Sequence, residues 1–314
     1  MLGVFLNWRW LAMACCIPSI IMPLLMIFAS ESPVYTMSKY GLSKKTIVTL
    51  QKLRGGHGEH LSNELAEIAC QARNKAALIV NKEQLLNPNV YKPLLVLMVL
   101  FVFQQCAGIT AVGFYQASIF VESRISMNPL ICNALVTLAP LTVVIMSSFV
   151  IDKSGRKMLL YLSGIGTILS LFLLSFYFWN KSTPSFTKNF GWLSMIALIA
   201  FQGSVALGFN SVPWVLVAEM TPYFARSFIS SICTFTSWGF AFLMAKIFDD
   251  MIDLLTPQGV YLFFTIMTFF GVFFVKFFVP ETKMKTIDEI LSHFSCKENS
   301  TDRKTSVIMW NTEL

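Results

Sequence analysis

Seven long apolar stretches, almost free of charge, leave this chain few structures to choose from. They cover residues 10–30, 93–120, 130–151, 159–179, 192–218, 228–248 and 260–279. Each offers about the 20 residues that a helix needs to cross a hydrocarbon core about 30 Å thick. Lipid supplies no partners for backbone N–H and C=O groups, so an isolated stretch of this length satisfies itself only as a helix. The alternation of a barrel strand is absent. The expectation is an all-α membrane protein, and a chain that is 55% hydrophobic and only 13% charged, with 29 phenylalanines among 314 residues, is consistent with it.

The formal charge of +7 does not point to nucleic acid, because the basic residues are spread over the segments between spans and gather on no soluble face. Of the 24 Lys and Arg residues, Lys246 and Lys276 lie within about a turn of span ends, where they can snorkel. Four more, Arg9, Arg124, Lys181 and Lys188, fall on one side of the predicted membrane, and the remaining eighteen fall in segments 31–92, 152–157, 219–227 and 280–314 on the other. The positive-inside rule makes that second side, with the C-terminus, cytoplasmic. The expectation is a multi-pass protein of the plasma membrane. Trp8, Trp10, Trp179 and Trp192 mark the outer ends of spans as an aromatic belt, and Asn180-Lys181-Ser182 is a glycosylation sequon on the outer face. Asn299-Ser300-Thr301 falls on the inner face and is expected to stay unused.

The layout is one span, a polar segment of about sixty residues, and six spans joined by short connections. Within the polar segment, residues 43–53 place Ile47, Leu50 and Leu53 at helical spacing and stop at Gly55-Gly56, and residues 59–86 continue with Leu61, Leu65, Ile68 and Leu78. Short amphipathic helices are expected there, with a solvated linker as the alternative. No cleavable signal peptide is read at the N-terminus, since Arg9 follows the apolar residues of MLGVFLNWRW, and seven spans with a cytoplasmic tail put the N-terminus outside. The seven cysteines fall in spans or cytoplasmic segments and read as small hydrophobes. His57, His60 and His293 have no metal-ligand spacing and no nucleophile motif appears, so neither an enzyme, a metal nor a cofactor is expected.

The polar residues inside the spans carry the chemistry. In FQQCAGITAVGFY, residues 103–115, Gln104 and Gln105 point about 100° apart on a helix, so at least one must face protein or water. Thr110 and Tyr115 share parts of that inward face. An amide gives both donors and an acceptor, which suits a neutral polyhydroxylated ligand; the competing reading is glue between helices, worth about 1 kcal/mol per residue. The stretch GSVALGFNSVPW, residues 203–214, holds two glycines, Asn210, Ser211 and Pro213, the composition of a broken helix lining a cavity or of a packing kink. Asp152, Arg156, Glu219 and Arg226 lie at one membrane level and can tie helix ends together as a gate.

The strings GVFLNWRWLA, ESP at 31–33, LQKLRGG, QQCAGITAVGFY, DKSGRK, VPWVLVAEMTPYFAR and VPETKMKTIDEI, in this order and spacing, resemble the sugar porter family of the major facilitator superfamily, in a flavour closest to invertebrate trehalose and glucose carriers. The resemblance runs to about residue 293. It implies twelve helices in two bundles with a cytoplasmic helical domain between them, of which this chain carries a part. Residues 1–30 match the sixth helix as a remnant of the N-terminal bundle and residues 31–92 the cytoplasmic domain. Residues 93–280 match the complete six-helix C-terminal bundle and residues 281–314 a cytoplasmic tail, with the first five helices missing.

By the same resemblance Gln104, Gln105, Trp214 and Trp238 contact sugar, and Asp152, Arg156, Glu219 and Arg226 form a gating charge network; Thr110, Tyr115 and Asn210 are further candidate sugar contacts, and Glu31 a further candidate of the network. This chain departs from the family pattern in having Thr110, Pro140 and Ser237 where amides are usual, Phe209-Asn210-Ser211 in the tenth helix, Val34 for an arginine and Met284 for a glycine. The expected function is facilitative transport of a hexose or of trehalose by alternating access, in a lipid bilayer, with other carrier subunits as candidate partners. The alternatives are a truncated non-transporting form, or a carrier of another polyol or organic solute.

Overall fold

A computed structural model describes residues 7–54, 64–66, 68–69, 87–122, 129–183, 186, 190–222, 225–285, 287–292 and 294. These divide into two compact units, residues 1–85 and 86–314. Among the described residues all regular structure is helical.

The first unit opens with α1, Trp8–Ile27, which has a mean hydropathy of 2.2 and no buried residue despite carrying Pro18 and Pro23 inside it. Two short helices follow, α2 (Pro33–Tyr40) and α3 (Lys44–Arg54). Pro33 sits in the first turn of α2, where its missing N–H costs nothing. Ser43 starts α3, its hydroxyl accepting from the Thr46 N–H at 3.4 Å. Met37, Leu50 and Ile68 form the small core of this unit, flanked by Val34, Leu65 and Ala69. The predicted apolar face of α3 is thus only partly right. Leu50 points in, but Leu53 is 56% exposed and Thr46 takes the inward place. The cause is local, since the Thr46 hydroxyl donates to the Gly41 carbonyl at 3.0 Å and rotates the helix toward it. Leu61, Leu78 and the Gly55-Gly56 stop lie outside the described residues.

The second unit holds α4 (Pro88–Cys106), α5 (Ile109–Glu122), α6 (Pro129–Ser154), α7 (Arg156–Asn180), α8 (Trp192–Leu207), α9 (Val212–Met220), α10 (Arg226–Phe278) and α11 (Ile287–Ser292). Two of the six predicted spans in this unit are broken. Residues 93–120 become α4 and α5, and residues 192–218 become α8 and α9. Two others are joined as α10, which turns back on itself at Thr256, whose φ of 65° is not helical, just before Pro257. Phe248 and Phe264, eight residues to either side, stack at 6.3 Å with their rings 7° from parallel, so the two halves form a hairpin.

In this unit α7 packs most extensively against α10 and α8, α4 against α10, and α8 against α6. One core of this unit gathers Phe120, Tyr177, Phe201, Phe248, Tyr261 and Phe264, all buried. Phe269, Phe273 and Phe277 run along the outside of α10 at i, i+4 spacing, about half exposed, as a lipid-facing stripe does.

Candidate polar site within the six-helix bundle

Pro213 organises the centre of the bundle. It has no N–H, so in an unbroken helix the carbonyl four residues back, that of Phe209, would go without its hydrogen bond. The chain breaks there, between α8 and α9, and Gln104 takes up the freed carbonyl. Its Nε2 donates to Phe209 O at 2.7 Å and to Asn210 O at 3.4 Å. The Phe209 N–H donates to Ser163 Oγ at 2.9 Å, and the Ser163 hydroxyl donates onward to Ser204 O at 2.6 Å. Side chains from α4 and α7 thereby satisfy the broken backbone, which lipid could not do.

Gln105, one residue on, is turned toward α10. Its Nε2 donates to Ser237 Oγ at 3.2 Å and its Oε1 accepts from the Thr110 hydroxyl at 2.7 Å. Both glutamines are buried, at 2% and 6% exposure, so neither faces lipid. Their amides differ in one respect. Gln105 is satisfied at both ends, whereas Gln104 Oε1 is buried with no hydrogen-bond partner, as is Ser211 Oγ in the break itself. A buried acceptor left in that state costs about 1–3 kcal/mol.

The break between α4 and α5 has a different origin. Gly108 has φ +80°, and a Cβ placed on it would lie 2.5 Å from Phe264 Cδ2, so the turn exists where α10 presses against the chain. Thr110 sits just past that turn, close enough to reach back to Gln105.

The two tryptophans are the exposed part of this region. Trp214 is 37% exposed, with its ring tilted on the buried Phe101 at 4.7 Å. Trp238 follows Ser237 and is 65% exposed. Asn210 is exposed and enters the cluster through its carbonyl, not its amide. Tyr115 does not join the glutamines. Its hydroxyl donates to Asp249 Oδ2 at 2.9 Å and its ring packs on Phe248 at 4.7 Å. The ten residues between Gln105 and Tyr115 correspond to about 15 Å of helix, which carries it toward the other end of the bundle.

At the opposite end from Tyr115, Arg156 and Glu219 meet at 2.9 Å, joining the start of α7 to the end of α9. Glu219 also accepts from the Thr282 hydroxyl at 2.5 Å. Arg226 donates to the carbonyl of Ala218, the neighbour of Glu219, at 2.7 Å. Glu31 lies in the first unit, exposed just before α2, and Asp152 lies in α6 with its side chain outside the described residues.

Two contributors escaped the sequence reading. Glu281 accepts from the N–H groups of Arg156 (3.0 Å) and Lys157 (3.2 Å) at the N-terminus of α7, and from those of Thr282 and Lys283 in its own turn, both at 3.1 Å. Its signal was present in the string VPETK, but nothing in the sequence says which N–H groups it reaches. Farther along the bundle, Gln202 Nε2 donates to Gln116 Oε1 at 3.0 Å and Gln116 Nε2 to Asn133 Oδ1 at 2.7 Å, linking α8, α5 and α6. Three amides inside apolar spans were the clue to that chain. Among the described residues no cluster of His, Cys, Asp or Glu is arranged to hold a metal.

A family model described as "Sugar (and other) transporter" matches residues 4–294. Over 294 residues the chain is 32% identical to the facilitated trehalose transporter Tret1 of Drosophila mojavensis, a match covering 92% of this chain and 33% of that protein. Over 309 residues it is 29% identical to the facilitated glucose transporter member 8 of solute carrier family 2 from Mus musculus, covering 93% of this chain and 63% of that one. The chain thus spans about one-third of the length of the Drosophila carrier.

A double-tryptophan mutant of XylE superposes with a TM-score of 0.74 at 22% identity, over 92% of this chain and 59% of that one. The inward-open xylose transporter XylE from E. coli superposes with a TM-score of 0.68 at 21% identity, over 92% and 57%. These structures share the fold, in which two helices broken at the centre of a bundle bring buried amides together here, and with a family model that matches residues 4–294 the chain belongs to the sugar (and other) transporter family.

Proposed function

We propose that this chain moves a neutral sugar, a hexose or trehalose, across the plasma membrane by alternating access, with no covalent chemistry and no cofactor. The observation that carries this reading is the buried, unpartnered Oε1 of Gln104. An acceptor held in that state calls for a hydroxyl donor, and a sugar is a dense array of hydroxyls. The Thr110 oxygen keeps lone pairs free, Ser237 keeps its proton free to donate, and Trp214 and Trp238 offer aromatic surface to a sugar face. A few neutral hydrogen bonds and an aromatic contact suit a carrier, since a millimolar site needs only about −4 kcal/mol and must release its cargo.

Facilitative movement is favoured over proton coupling because the side chains and carbonyls that hold Gln104 and Gln105, those of Phe209, Asn210, Ser237 and Thr110, are all neutral. The pair Arg156–Glu219, reinforced by Thr282, serves as the cytoplasmic gate, with the C-terminus on that side. A second reading, a polyol carrier on the same scaffold, is supported by the saturation of Gln105 by Thr110 and Ser237, which leaves fewer free donors than an amide partner would.

In a transport-competent form of the carrier, Gln104→Ala and Trp214→Ala should each depress uptake of labelled sugar strongly at unchanged surface expression. Unaltered uptake in both would remove the binding assignment. Comparing labelled glucose, trehalose and a linear polyol in the same cells separates the two readings, and a pH-jump uptake assay separates uniport from symport.

A further inference from the structure

The sequence from residue 33 to residue 54 carries Lys39, Lys44, Lys45, Lys52 and Arg54 and not one Asp or Glu. The gating and sugar-binding assignments use none of these residues. The fold gathers them. Lys39 Nζ lies 5.6 Å from the Tyr35 ring centroid and 5.4 Å from that of Tyr40, and Lys45 Nζ lies 5.0 Å from the Tyr40 centroid. Two ammonium groups and two half-exposed aromatic rings therefore form one continuous surface where α2 meets α3. Along α3 that surface continues through Lys44, Val48 and Lys52, which fall at i, i+4 and i+8 on the face opposite the buried Leu50.

Apolar side chains stand among these charges. Leu42 is 67% exposed and Val48 59% exposed, in a unit whose own core is built from other residues. A solvated polar face has no use for them. A face with basic residues at its rim, tyrosines between, and leucine and valine projecting outward has the chemistry of a membrane interface: ammonium groups reach phosphates and carboxylates while apolar tips enter the headgroup boundary.

Position supplies the second argument. Only residues 28–32 separate the end of α1 from the start of α2. Five residues in extended form reach about 20 Å, so α2 begins close to the end of an apolar helix long enough to cross the bilayer. Basic clusters next to a spanning helix on the cytoplasmic side meet the anionic leaflet. Lys39 also donates to the Tyr35 hydroxyl at 3.2 Å, and this hydrogen bond raises its ammonium above the ordinary lysine value.

We propose that the basic and aromatic face of α2 and α3, centred on Tyr40 and comprising Lys39, Lys44, Lys45, Lys52, Leu42 and Val48, docks on an anionic bilayer surface with phosphatidylserine headgroups as its partner. Its cellular setting rests on the cytoplasmic orientation proposed above, but the docking itself does not. Nanodiscs leave both membrane faces open, so the following test can fail only through the face itself.

The full chain is placed in nanodiscs of phosphatidylcholine alone or with about one-fifth phosphatidylserine, a charged leaflet of cellular type, and amide hydrogen exchange is followed over residues 33–54. Exchange should be several-fold slower in the phosphatidylserine discs, and raised salt should erase the difference. Each lysine neutralised should weaken the association about fivefold, so the quadruple change of Lys39, Lys44, Lys45 and Lys52 to Gln should abolish the protection, while the same four changed to Arg should retain it. Unchanged exchange over α4 to α10 in every sample shows that the bundle remains folded. Equal exchange in the two lipid compositions, or protection that survives in the glutamine variant, overturns the proposal. So does equal protection by soluble O-phosphoserine in phosphatidylcholine discs, which would make the face a site for soluble anions.

Discussion

Glu281→Ala should loosen the charged end of the bundle more than any single change at Arg156 or Glu219. The Glu281 carboxylate accepts from two N–H groups in the first turn of α7 and from two in its own turn. A carboxylate at a helix N-terminus contributes about 0.3–1 kcal/mol at an exposed site and up to about 2 kcal/mol when partly buried. The two bonds to α7 join segments 124 and 125 residues apart and involve a charged acceptor, worth about 1.5–3 kcal/mol each before water replaces them. Because Glu281 is only half-buried, water recovers much of this, and a net loss of about 2–3 kcal/mol remains.

Glu281→Gln keeps an acceptor but no charge and should lose about half as much. The natural assay is thermal unfolding of the purified chain in detergent, read by tryptophan fluorescence. Gly155 supplies an internal control. Its φ is +87°, and a Cβ added there would come within 3.0 Å of Glu281 Oε2, so Gly155→Ala should already displace the carboxylate. The double variant should then lose less than the two single losses combined, as contacting residues do. Additive losses, or an unchanged melting temperature for Glu281→Ala, would refute the claim that this carboxylate ties α7 to the chain beyond α10.

Gly108→Ala forces a side chain into a left-handed turn and onto Phe264 at 2.5 Å, and should cost about 2–5 kcal/mol, seen as a clear drop in the same melting assay. Thr110→Val strips the donor from the buried Gln105 Oε1 and should cost about 1–3 kcal/mol, with altered discrimination between sugars in uptake competition. Met284, 94% exposed with φ +57°, sits where glycine is at ease, so Met284→Gly should raise stability by about 1 kcal/mol, again by thermal unfolding.

The spans were legible because one requirement, an apolar run long enough to satisfy its own backbone, governs them all. The break before Pro213 was legible for the same reason, since a proline and two glycines in such a run cannot continue a helix unaided. The break at Gly108 was not, because glycine is common in membrane helices and this one turns only where Phe264, more than 150 residues away in sequence, presses on it. The 100° separation of Gln104 and Gln105 required at least one of them to face inward, and both are buried. Their division of labour was not legible, because it depends on which carbonyl Pro213 sets free and on Thr110 and Ser237 lying within reach of the same amide. The first unit was least legible. Helical spacing chose Leu53 for its core, and a threonine hydroxyl bound to Gly41 turned α3 away from that choice.

The brace of the broken helix and the acceptor proposed for the sugar belong to a single functional group. Gln104 braces the α8–α9 break with its amide nitrogen and leaves its amide oxygen open. A hydroxyl donated to that oxygen polarises the amide and strengthens the bond its nitrogen makes to Phe209, so occupancy and the stiffness of the break rise together. Substitution at position 104 therefore reports on recognition and on backbone shape at once, and KM and turnover should shift jointly there. At Trp214, which braces no backbone carbonyl, KM should shift by itself.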